Sequence, residues 1–161
     1  MAKYLNRPSI FEIATAFEDG NNGYVSKQKE YEDVYNQLND KEKSLLWRHP
    51  FLAMKIKENR EKAFRATSHF DGIEDGYGDA VRHCCWCALN QKDAGLNSSR
   101  AKEFGDAHEN IPNNEAKTMD LHNNSVGYHL GNQAIINGWS EEELLNQVIN
   151  AANNGKLQIG L

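Results

Sequence analysis

The fold turns on YGDAVRHCCWCALNQKDAG, Tyr77 to Gly95. It contains no proline, and Gly95 supplies the stop that ends many helices. Read as one α-helix, it brings Asp79, His83 and Cys87, four residues apart, onto one face. Asp75 joins that stripe if the helix starts early. Outward from this segment, apolar residues recur at helical spacing far more often than they alternate. The three prolines, Pro8, Pro50 and Pro112, read as breaks or helix starts.

Towards the N-terminus, Ser9 with Glu12 forms a capping box for a helix over about Ser9–Glu18. Asp19 to Gly23 is a turn, and a second helix runs through Tyr31, Val34 and Leu38. Asp40 can cap a short helix carrying Leu45, Leu46 and Trp47, and Pro50 opens a helix through Phe64. Towards the C-terminus, Ser98 or Ser99 caps a short helix through Phe104. Another helix spans about Glu115–Asn137 before Gly138. The last begins at Ser140, with Glu143 completing a capping box, and ends near Asn153 to Gly155. The expectation is an all-α fold of about six to eight helices, a single domain over residues 1–161.

The 161 residues suffice for one ordinary domain. Hydrophobic residues at 39% and charged residues at 25% are normal for a globular chain. A net charge of −5 leaves room for a local basic patch at most, so no nucleic-acid partner is expected. No apolar run approaches the ~20 residues of a transmembrane helix. Met1 to Pro8 lacks the apolar stretch of a secretory signal. The expected location is therefore the cytoplasm of the producing cell, with any export proceeding without a cleaved signal. Three cysteines in one cluster, Cys84, Cys85 and Cys87, do not make a disulfide framework. Cys84 and Cys87 form a C-x-x-C, but mid-helix rather than at a helix start, which favours buried small hydrophobes. The calcium-loop echoes from Asp19 and Asp71 lack oxygen ligands at needed positions and read as turns. His49 and His69 are isolated.

Three segments concentrate ligand-type residues. In the first, Asp79 and His83 sit one turn apart. They can grip one ion, one can orient the other, or they can be a plain Asp–His pair at a helix start. The second is Asp106-Ala107-His108-Glu109, where His108 can ligate a metal and Glu109 can act as acid or base. Its plain alternative is a solvated acidic loop. The third runs from Asp120 through His122, Asn123 and Asn124 to Gly127, His129 and Gly131. Two adjacent Asn and two Gly are poor helix formers, so they need a local reason. Close approach of another helix or a ligand supplies one, and the amides imply a buried polar network.

The strings Asp79 to Ala88, Ala101 to Glu109 and Met119 to Gly127 resemble an uncharacterised bacterial domain family. Its pattern reads DAFRHAYWNA, then AK-x-x-x-DAHE, then MDLHNN-x-x-G. Such domains are similar to modules at the C-termini of secreted and polymorphic-toxin-like proteins. The resemblance covers about Asp71 to Gly131. It implies a functional set of Asp79, Arg82, His83, Asp106, His108, Glu109, Asp120, His122, Asn123 and Asn124, and it implies no particular reaction. The chain departs from the pattern at Cys84, Cys85 and Cys87, where the family-like string has Ala, Tyr and Asn.

The resulting expectation is a hydrolase of the antibacterial-effector kind, assisted by a divalent metal, zinc first. It would act on cell-envelope material, either peptidoglycan or phospholipid. The metal ligands are expected among His83, His108, Asp120 and His122. The catalytic set is His108, Glu109, Asp120, Asn124 and Asp79, with Glu109 or Asp120 as base and Asp79 orienting His83. A metal-free variant uses Glu109 as general acid with Asp120 as its partner. An immunity protein or a secretion-system component would be the partner. The competing expectation is a binding or accessory protein whose Asp, His and Asn residues fix helix packing without turnover.

Overall fold

A computed structural model describes residues 35–36, 38–72, 76–93, 98–109 and 115–159. The expected helix over Ser9–Glu18, the turn after it and the helix through Tyr31 lie outside or mostly outside these residues. The described residues form six α-helices and no strand, so the class is all-α as the periodicity predicts. The chain divides into two compact units between Met54 and Lys55.

In the first unit, α1 (Asp40–Arg48) is capped by Asn39 rather than by Asp40. The Asn39 side chain accepts from the backbone N–H groups of Lys41 and Glu42, each at 3.0 Å. Glu42 returns the bond to the Asn39 N–H at 2.8 Å. Asp40 becomes the first helical residue, where its charge favours the helix dipole. Leu45 is buried, and the Trp47 indole donates to the Tyr35 hydroxyl at 3.1 Å.

Helix α2 (Pro50–Thr67) starts at Pro50 as expected and continues into the second unit. There it is joined by α3 (Tyr77–Asp93), α4 (Ser98–His108), α5 (Glu115–Asn137) and α6 (Glu141–Asn153). Helix α3 is the hub, packing on α5, α6 and α4. Ala80, Val81, Cys84, Cys85, Cys87, Ala88 and Leu89 are all at most 1% exposed. The middle of α3, Cys84 to Leu89, is apolar all round and belongs inside, and the three free cysteines serve there as small hydrophobes.

The glycines of α5 explain its closeness to α3. A Cβ on Gly127 would collide with the Cys84 carbonyl oxygen, and one on Gly131 would come within 2.6 Å of the Ala88 carbonyl oxygen. Both collisions are with backbone, which cannot step aside. Helix α5 ends where expected, at Gly138, whose φ of +67° suits glycine. Helix α6 carries the expected Ser140–Glu143 capping box.

Candidate functional site

The site is built at the N-terminal end of α3. Backbone N–H groups of Gly78 and Asp79 donate to the carbonyls of Asp71 and Gly72 at 2.9 and 3.0 Å. The preceding loop thus satisfies donors that a helix start leaves open and fixes the first turn. That turn presents Asp79, Arg82 and His83. Helix α5 presents Asp120 and Asn124, one turn apart. Glu109, in the turn after α4, completes the group from a third direction.

His83 is the centre. Its Nε2 lies 3.4 Å from Asp79 Oδ1 and 3.8 Å from Asp120 Oδ1. Its Nδ1 lies 3.2 Å from Glu109 Oε1, close enough for ion attraction but not aligned as a hydrogen bond. Asn124, fully buried, donates Nδ2–H to the same Glu109 oxygen at 3.2 Å. Its Oδ1 is buried without a hydrogen-bond partner among the described residues. Arg82 pairs with Asp79.

Burial by itself would disfavour a charged His83 ring. The closeness of Asp79 and Glu109 and the field of Asp120 outweigh it and raise the ring's pKa to about 10. Burial pushes Glu109 up, but His83, His108 and Asn124 together hold it below the ordinary carboxylate range. The pair stands as imidazolium and carboxylate. Burial also raises the thiol of Cys85 to about 12 and that of Cys84 well above its ordinary value, so these sulfurs stay protonated.

The donor atoms of Asp79, His83 and Asp120 lie within 4.8 Å of one another. One imidazole and two carboxylates suit zinc, manganese or iron, and three protein ligands leave a coordination position open. A metal held by His83 would take the place of the ring's proton. While Nε2 faces Asp79 and Asp120, Nδ1 faces Glu109, and Glu109 is held by Asn124. A carboxylate behind a histidine ligand is the usual arrangement for fixing its ring.

The expected residues therefore divide. Asp79, His83, Glu109, Asp120 and Asn124 come together. His108 is the last residue of α4 rather than part of a loop. Its ring lies 5.9 Å from that of His83 and 5.2 Å from that of Trp86, beside the potential ligand trio and not within it. His122 stands apart: it is exposed, and its Nε2 meets the Lys156 carbonyl at 2.9 Å. Two residues along a helix is a rotation of roughly 200°, so Asp120 and His122 face opposite ways. Asn123 clamps the chain after α6, giving to and accepting from the Gln158 backbone, each at 2.9 Å. Asp106 pairs with Lys102 at the surface.

A pocket of about 100 Å³ opens next to His83. Its walls are Arg60 and Phe64 of α2, Arg82, His83 and Trp86 of α3, and His108 of α4. Sequence reading missed Arg60 and Phe64, which precede the motif-rich region. The one signal they carry is a four-residue spacing, which puts cation and ring on one helical face.

None of the curated proteins and none of the solved structures matches this chain. One family does match, over residues 43–156, a span that contains all three motif strings and the whole polar cluster. The chain belongs to that family, described as a domain of unknown function (DUF6973).

Proposed function

We propose that the protein is a metal-assisted hydrolase of the kind deployed as an antibacterial effector, acting on peptidoglycan or phospholipid. The observation that supports it most is the convergence of Asp79, His83 and Asp120, from two helices, on donor positions within 4.8 Å of one another. Asp79, His83 and Asp120 would hold a divalent ion, zinc first. When bound, such an ion supplies Lewis acidity and lowers the pKa of water. Glu109 is a positioning residue, drawing the Nδ1 side of the His83 ring by its charge at 3.2 Å, and Asn124 holds Glu109. Arg82 offsets part of the Asp79 charge. His108, on the pocket wall, would carry a proton. Glu109, kept ionised, is unsuited to the general-acid role of the metal-free variant. The likeness of the three motif strings to toxin-like modules supports the effector setting. An immunity protein, a secretion-system component and export without a cleaved signal belong to the same proposal.

One observation favours the second reading, a binding or accessory protein without turnover. A protonated His83, with Arg82, already offsets much of the charge of the three carboxylates without any metal. Hydrolysis separates the two. Zinc-loaded protein should release soluble fragments from purified peptidoglycan or fatty acid or headgroup from phospholipid vesicles, and Asp120→Asn should not. Inactivity of the zinc-loaded protein on both materials favours the second reading.

A further inference from the structure

We infer that the pocket beside His83 is an anion site, holding an oxyanion group of the substrate, phosphate or carboxylate, against Arg60. This rests on the hydrolase reading for what the group belongs to, but not for the binding itself. Among the described residues, the Arg60 guanidinium lies 5.4 Å from the Phe64 ring centroid and meets no carboxylate. The Arg82 guanidinium lies 4.7 Å from the same ring. Two like charges are thus gathered at one aromatic ring, an arrangement that an anion between them relieves.

Arg82 is offset by Asp79, and His83 is shared among Asp79, Glu109 and Asp120. Arg60 is the cation that this network leaves over. The planar guanidinium fork matches phosphate and carboxylate oxygens in pairs. The space takes a few water molecules or one such group. His83 links the two halves of the site, since its ring lines the pocket while its Nε2 faces Asp79 and Asp120. An anionic group seated on Arg60 would hold the neighbouring bond of the same molecule beside that nitrogen.

Calorimetric titration of metal-free protein with inorganic phosphate, and separately with acetate, tests the site without any metal or turnover. Arg60→Gln, checked for an unchanged circular dichroism spectrum, should weaken binding at least roughly tenfold, the loss of one charge-assisted contact. Stronger binding of phosphate assigns the site to phosphoester-bearing material. Stronger binding of acetate assigns it to carboxylate-bearing material. Binding of neither anion, or binding that Arg60→Gln leaves unchanged, overturns the inference. Anion binding by a protein that takes no metal would keep the pocket and remove the hydrolase. Metal binding and turnover without anion binding would do the reverse.

Discussion

Three carboxylates stand within 4 Å of the His83 ring, and their effect on stability has a definite sign. The ring's pKa is raised from 6.5 to about 10 on folding. Its contribution is therefore fully present below the unfolded value and is lost as pH rises towards and through about 10. Denaturant unfolding of metal-free protein at a series of pH values should show stability falling between pH 6.5 and 10. His83→Gln should flatten that slope; an unchanged slope would mean the ring is not held as a cation. The cysteine thiols are raised as well, by burial that keeps them neutral. Buried and protonated at neutral pH, Cys84, Cys85 and Cys87 should resist iodoacetamide in the folded protein and react once it is unfolded. Rapid labelling of the folded protein, read by mass spectrometry, would contradict this account of the cluster.

At the scale of elements, the approach of α5 to α3 depends on two missing side chains. Gly127→Ala should destabilise by about 1–3 kcal/mol, because the methyl would press on α3 backbone rather than on a movable side chain. A neutral effect on the denaturant midpoint would show that the helices can separate at little cost. Ser140→Ala removes the α6 cap and should cost about 1 kcal/mol. Helix starts and stops were legible because their signals are local: Pro50, Ser140 with Glu143, and Gly138 each act on their own turn. At α1 the cap falls on Asn39, one residue before Asp40, because the two are adjacent and both are good caps. The ligand trio was half legible. Four-residue spacing marks Asp79 with His83, and Asp120 stands out with the polar string that follows it, but chain proximity draws His122 in as well, although the helix turns it away. Glu109 behind His83, and Arg60 in the pocket, depend on how separate helices meet, and no local spacing encodes that.

In the larger unit, α2, α3, the end of α4 and α5 meet at one corner, and several carboxylates are buried there. Asp79, Glu109, Asp120 and Asn124 are all buried, and each alone would weigh against folding. A bound ion should therefore stabilise the folded chain by mass action, about 2.7 kcal/mol at a free concentration 100 times its Kd. Zinc should raise the thermal midpoint of the wild type and leave Asp120→Asn unmoved. Most direct is the stoichiometry of zinc binding to the purified chain, by calorimetry with elemental analysis of the dialysed complex. About one zinc should bind per chain, lost in Asp79→Asn and in Asp120→Asn and retained in His122→Ala. No tight zinc in the wild type, or zinc that survives Asp120→Asn and departs with His122→Ala, would contradict it.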